Sequence, residues 1–152
     1  MIGWLLDTNV IASLVSPNGA SSVRNWAETQ KEDLLYISIL TLAEYDKGIE
    51  NLAHDNINRH RYTAARRELE MRFSGRVLSL DDATIRRWGA ISGRVKQATG
   101  HTPPVIDTML AAQAQENTLY LVTRNVRDVE RSGAAVFNPW QDDISLFPLR
   151  RR

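Results

Sequence analysis

The sequence predicts an α/β domain built on a parallel sheet, and three observations carry that expectation. Short apolar runs alternate along the chain with longer stretches of helical periodicity, the pattern of strands joined by crossover helices. The clearest runs are continuously apolar, as strands covered on both faces must be. At 152 residues, with 43% hydrophobic and 24% charged side chains, the chain fits one domain able to bury a core without staples.

Residues 2–6 form the first expected strand, apolar except at Gly3. Residues 34–38 and 119–122 read the same way, and 77–80 and 134–137 are weaker strand candidates. Helical periodicity marks residues 22–31, 39–52, 57–73, 82–97 and 104–116. Asp81 or Asp82 suits the N-cap of the fourth helix, and Pro103-Pro104 suits the start of the fifth. No repeat, low-complexity stretch or linker divides the chain. The expected organisation is a domain over residues 1–140 and a C-terminal tail over 141–152 that lies on the surface and ends in three arginines.

Composition removes several function classes. With no cysteine, disulfides, thiolate metal sites and cysteine nucleophiles are excluded. His54, His60 and His101 show no metal-ligand spacing and read as surface residues. The longest apolar stretch, residues 34–43, is broken by Tyr36, Ser38 and Thr41 and falls short of the roughly 18 residues of a membrane span. No basic leader precedes the first strand, so a cytoplasmic protein without membrane association is expected.

The chemistry is suggested by carboxylates at element ends. Asp7 follows the first apolar run directly, where an unpaired buried anion would cost several kcal/mol. Glu44 lies in the helix after the second strand, Asp107 in the first turn of another helix, and Asp128 beyond the strand ending at Val122. Ligands of open parallel sheets bind beyond the carboxyl ends of the strands, so one sheet edge can receive all four acids. A hard divalent cation shared among them would offset their burial and point to phosphate chemistry. Lys plus Arg number 19 against 18 Asp plus Glu. With the four acids neutralised, the remaining surface is basic, which suits a polyanionic partner. An ordinary mixed surface is the bland alternative.

Each acid also has a structural reading. Asp7 could be an N-cap, a role Thr8 or Asn9 could fill as well. Asp107 suits a helix dipole, Asp128 a surface helix position, and Thr123 and Asn125 a turn. On a helical wheel Ile39, Leu42, Tyr45, Ile49 and Leu52 form the apolar face, which leaves Glu44 roughly opposite and puts Asp46 on the apolar side. Leu40, Glu44 and Gly48 form a strip at four-residue spacing that could line a pocket, with Asp46 the rival acid. The arginines Arg59, Arg61, Arg66, Arg67, Arg72 and Arg76 read as a solvated helix face. Arg150-Arg151-Arg152 is either a tail or a phosphate contact, and the four tryptophans read as core.

Taken together, Asp7-Thr8-Asn9-Val10, Thr41-Leu42-Ala43-Glu44, the stretch from Asp107 to Ala112, and Thr123-Arg124-Asn125-Val126-Arg127-Asp128 resemble the PIN-domain ribonucleases. The resemblance is to the VapC/FitB-type toxins of bacterial toxin–antitoxin pairs, and Asn138-Pro139-Trp140 adds to it. It implies a three-layer α/β/α sandwich with a central, mostly parallel sheet, and a metal-dependent endoribonuclease. It makes Asp7, Glu44, Asp107 and Asp128 the catalytic and metal-binding acids for Mg²⁺ or Mn²⁺. Asn9, Thr123 and Asn125 become their polar supports. It further implies an RNA substrate, a cognate antitoxin protein and a homodimer. The chain departs from the family at Val129, where an aromatic is common, and in the extra acid Asp46.

Two other classes compete. A non-catalytic PIN-like module binding RNA or protein would be expected to lack one or more of the acids. A phosphotransfer domain also places an Asp after its first strand. The phosphatase pattern wants a second Asp where this chain has Asn9, and the receiver pattern wants a late lysine that Asn138-Pro139-Trp140 does not offer.

Overall fold

The apolar run at the start of the chain becomes β1 (Trp4–Leu6), buried on both faces at the centre of the sheet. The computed structural model describes residues 1–150. β2 (Leu35–Ser38) and β4 (Tyr120–Val122) pair with β1 on either side. β3 (Val77–Leu78) and β5 (Val136–Phe137) form the edges, giving the order β3-β2-β1-β4-β5 with every pairing parallel. All five expected strands are present, each shorter than the run that marks it.

Among the described residues seven α-helices connect and cover the strands: α1 (Thr8–Val15), α2 (Ser21–Glu28), α3 (Ile39–Glu50), α4 (Ile57–Arg72), α5 (Asp82–Thr99), α6 (Val105–Glu116) and α7 (Val126–Val129). Asp81 caps α5 by accepting from the Thr84 backbone N–H, and α6 begins directly after the paired prolines. α1 and α7 are absent from the periodicity reading. Four residues are too few to establish a helical period in α7, and α1 carries β-branched Val10 and Ile11 that favour strands.

The alternation of side chains along each strand divides the core in two. Trp4, Leu6, Leu35, Ile37, Tyr120 and Val122 face one side, where Val10, Ile11, Val23, Trp26, Leu42, Leu69 and Phe73 from the first four helices pack on them. Leu5 and Leu121 face the other side, against Leu110, Ala111 and Ala114 of α6 and Val129 of α7. α5 packs outside α6, through Ile91 and Val95 against Ala112. The result is the three-layer α/β/α arrangement. α6 is buried nearly all round, and its alanines let sheet and α5 approach it together.

Aromatic rings fill the first core. Trp4 stacks on Tyr120 at 5.0 Å and meets Trp26 edge-on at 5.4 Å, and its ring N–H donates to Gln30 Oε1 at 3.0 Å. Of the four tryptophans, Trp4 and Trp26 are core residues, whereas Trp88 and Trp140 are only half-buried. The chain after Trp140 returns to this cluster. Phe147 meets Phe137 at 4.8 Å, Tyr120 donates to the Pro148 carbonyl, and the Arg150 N–H donates to the Met1 carbonyl. Arg151 and Arg152 lie outside the described residues.

Gly3 interrupts the first apolar run because its neighbours leave no room for a side chain. A Cβ there would sit 2.6 Å from the Leu34 carbonyl oxygen and 3.1 Å from Leu119. Gly3→Ala should therefore separate β1 from its neighbours at the sheet's start and cost about 2 kcal/mol. Urea unfolding checks this; an unchanged midpoint would mean that the strand relaxes freely.

Candidate active site

The strand order reverses direction between β1 and β4, and the crevice beyond their carboxyl ends is the switch point where open α/β sheets bind ligands. Asp7 is the first residue past β1 and Thr123 the first past β4. The ladder carries on into both, since the Asp7 N–H donates to the Val122 carbonyl and the Thr123 N–H to the Phe137 carbonyl. Two residues distant in sequence are thereby held side by side.

Asp7 is 5% exposed and its carboxylate is surrounded by donors. Oδ2 accepts from the Thr123 hydroxyl at 2.7 Å and from the Asn9 amide at 3.2 Å, and Oδ1 accepts from the Thr8 backbone N–H at 2.6 Å. The last bond makes Asp7 the N-cap of α1, so the structural reading of this residue holds, and Thr8 and Asn9 serve otherwise. Burial raises the Asp7 pKa, against the opposing pull of Thr123, Thr8 and Asn9. Asn9 also donates to Thr123 Oγ1 and accepts from the Arg124 N–H, and the Asn125 N–H donates to the same Thr123 hydroxyl oxygen. The three polar residues expected to support the acids thus bind Asp7 or its partner.

Glu44 and Asp46 part company. Asp46 is exposed and paired with Arg66, whose Nε lies 2.5 Å from Oδ1. Glu44 is half-buried against α1, where the Thr8 hydroxyl donates to its Oε1 at 3.0 Å. Burial first, and the Asp7 charge in addition, raise its pKa, while Thr8 and Lys47 pull it down. The wheel's apolar face holds the core residues Leu42 and Tyr45; it does not foresee that Thr8, at the start of α1, reaches Glu44 on the other side of α3. Thr8 and Thr41, whose hydroxyls lie 3.2 Å apart, are site residues that sequence reasoning left without a role. The available signal was a pair of threonines each next to a candidate acid motif.

Asp7, Glu44 and Asp107 line one open cleft of about 450 Å³ together with Thr8, Asn9 and Asn125. Asp128 is exposed and lies outside that lining, yet its charge reaches Asp107. The Asp107 carboxyl is pushed up to about 6 by burial, then by Asp7, Asp128 and Glu44, with Asn125 pulling the other way. The strip Leu40, Glu44 and Gly48 does line a pocket, a neighbouring cleft that shares Glu44 and Ile106 with the acidic one. His54, His60 and His101 are all exposed.

The donor set is what a hard cation takes: carboxylate and amide oxygens, with no imidazole or thiol lining the cleft. Among the described residues no three acidic or imidazole groups converge tightly enough to cage a bare ion. These carboxylate and amide oxygens could together meet a cation only through its water shell, part of which Mg²⁺ retains. Among the described residues no helix is long and apolar enough to cross a membrane.

The PIN domain sequence profile matches residues 4–131 of this chain. Toxin FitB of Neisseria gonorrhoeae is 28% identical over 138 residues, covering 91% of this chain and 99% of that protein. The VapC ribonuclease Y4jK of Sinorhizobium fredii is 27% identical over 137 residues, covering 90% and 97%. Among solved structures, FitAB bound to the IR36 DNA fragment superimposes with a TM-score of 0.81 at 26% identity, covering 92% of this chain and 97% of that one.

The Thr123 hydroxyl stabilises the charged form of Asp7, so its removal should matter only while Asp7 is ionised. Thr123→Val should cost about 1.5–3 kcal/mol at pH 7, the range for hydrogen bonds to charged groups. That cost should shrink as the pH falls through the Asp7 pKa and the carboxyl takes a proton. Chemical unfolding at pH 7 and pH 4 measures it; an equal cost at both would assign the effect to packing.

Proposed function

The chain belongs to the PIN-domain family, and we propose that it is a divalent-metal-dependent endoribonuclease, the toxin of a toxin–antitoxin pair acting in the cytoplasm. The observation that carries this reading is the convergence of Asp7, Glu44 and Asp107 on one cleft at the sheet's switch point, with Asp128 close enough to act on Asp107. The relatives named toxin and VapC ribonuclease support the activity and its setting.

Asp7 and Asp107 would hold Mg²⁺ or Mn²⁺ most directly, Glu44 and Asp128 through water. The ion, when bound, supplies a water of lowered pKa and positive charge for the phosphodiester undergoing in-line attack. The rest falls to the chain's own groups. Thr123, Asn9 and the Thr8 N–H hold the Asp7 carboxylate in one orientation, and the Thr8 hydroxyl does the same for Glu44. Locked first contacts of this kind lower the reorganisation needed at the moment of reaction. A carboxylate at the cleft is placed to orient the attacking water toward phosphorus.

The nuclease unit is assigned to residues 1–140 and the tail to 141–152. A homodimer and an inhibitory antitoxin partner complete the reading, the latter supported by the similarity to FitAB. Incubation of the purified protein with total RNA and Mn²⁺, with and without chelator, followed by mapping of cut ends, tests the activity. RNA bound but left intact in Mn²⁺ would favour a non-catalytic module instead.

Asp107→Asn should reduce cleavage by roughly 100-fold or more. The sign of its effect on stability is opposite. The folded pKa of about 6 exceeds the ordinary 3.8, so ionising Asp107 destabilises the metal-free fold progressively as pH rises between those values. The variant should therefore unfold at the same or a higher temperature than the metal-free parent at pH 7. A variant that unfolds earlier, or cleaves normally, would defeat the assignment.

Below pH 6 protons compete with the cation for the same oxygens. Mn²⁺ affinity and cleavage rate should both fall as the pH drops through about 6. Titration calorimetry across pH 5–8 checks the first, and profiles flat over that range would exclude a coupled acid site.

A further inference from the structure

We infer that the groove beside the acidic cleft, between the turn after β4 and Trp140, seats the single-stranded RNA that flanks the cleaved bond. In it Arg124 and Arg127 meet backbone phosphates, and the Arg124–Trp140 pair offers a stacking platform for a base. The inference rests on the ribonuclease reading and specifies how that site holds its substrate.

The groove encloses about 740 Å³ and is lined by Arg124, Asn125, Arg127, Asp128, Trp140 and Gln141, among others. Asn125 also lines the acidic cleft, so the two clefts adjoin at that residue. The Arg124 guanidinium carbon lies 5.3 Å from the centre of the Trp140 ring. Trp140 is half-buried against the core, and its backbone N–H donates to Asn138 Oδ1, while Asp142 Oδ2 accepts from the Asn138 backbone N–H. These bonds fix the backbone on either side of Pro139, and core packing together with Arg124 holds the ring, so much of the ordering of a platform precedes the arrival of a base. Stacked guanidinium and indole surfaces accept any nucleobase on a face, which favours an unpaired strand over a duplex.

Among the described residues, unpaired arginines occur on α4, at Arg61 and Arg67, and beside the acidic cleft, and only the second group adjoins the candidate active site. Arg59, Arg66, Arg72, Arg76, Arg86 and Arg87 each pair with a carboxylate, and Arg24 and Arg94 donate to backbone carbonyls. The side chains of Arg124, Arg127 and nearby Arg131 make neither an ion pair nor a hydrogen bond among the described residues. Their charge stands uncompensated beside a cleft lined with acids, where internal pairing would have been the cheaper arrangement. Asp128 is the groove's single acid, set against two guanidinium groups. A strand lying here enters the acidic cleft past Asn125.

Anisotropy titration of a short fluorescent single-stranded RNA in chelator reads the groove without cleavage. Arg124→Gln combined with Arg127→Gln should weaken binding about ten-fold or more and flatten the log–log salt dependence by about 1.4, for two phosphate contacts on a single strand. Arg61→Gln with Arg67→Gln removes the same charge from α4, outside both clefts, and should change affinity less than about two-fold. Trp140→Leu should weaken binding at an unchanged salt slope, and Trp140→Phe should retain most of it. Both arginine pairs are exposed, so neither double variant threatens the fold. Absent binding by the parent protein, parent-like binding by the groove variant, or an equal loss in the α4 variant would overturn the inference. Loss of binding in the groove variant, with no cut ends from the parent in Mn²⁺, would sink the nuclease and leave the groove. Cleavage by the parent with unaltered binding by the groove variant would do the reverse.

Discussion

A carboxylate held almost out of solvent, where the two halves of the sheet diverge, is the constraint around which this molecule is arranged. Asp7 cannot sit past β1 without donors, and the donor set comes from three places. Its own helix supplies the Thr8 N–H, the same turn supplies Asn9, and β4 supplies the Thr123 hydroxyl. The last is available only because β1 and β4 pair in parallel and in a register that places Leu6 beside Val122. A one-residue slip of either strand would send the Thr123 side chain to the opposite face.

The other acids take their character from the same crevice. Glu44 and Asp107 are raised by burial first and by neighbouring charge after it, so the cleft stores repulsion that a cation or a proton relieves. Thr8 and Thr123 temper that repulsion with one half-buried and one buried hydroxyl, and each acts between elements rather than within one. Asp46 shows the contrast. Two residues from Glu44 on the same helix, it points to solvent and is matched by Arg66, as surface acids ordinarily are.

Basic groups divide along similar lines. Along α4 and at its ends, guanidinium groups staple helix to helix and helix to turn, with Arg72 and Arg76 both reaching Glu32. Their reading as a helix face is right for Arg61 and Arg67, but four of that set are structural ties. The arginines after β4 are left without such partners and lie next to the acids. A near-neutral chain can in this way present a locally basic track to a polyanion, which net charge alone conceals.

The sequence by itself determined what each element needs locally. Apolar runs marked the three central strands, because burial on both faces leaves little room for a polar side chain, and marked the two half-covered edge strands more weakly. Asp81 and the paired prolines marked helix starts, since capping and φ restriction are local chemistry. The motif order was enough to identify the family and to nominate the acids. Tertiary structure decided which faces meet. It put β1 beside β4 across more than a hundred residues, chose Glu44 over Asp46, enlisted Thr8 and Thr41, kept Asp128 at the margin of the acidic cleft, and turned Trp140 toward Arg124. Periodicity reports only where a side chain stands on its own helix or strand. What covers that side is settled by packing between elements remote in the chain, which no single window of sequence contains.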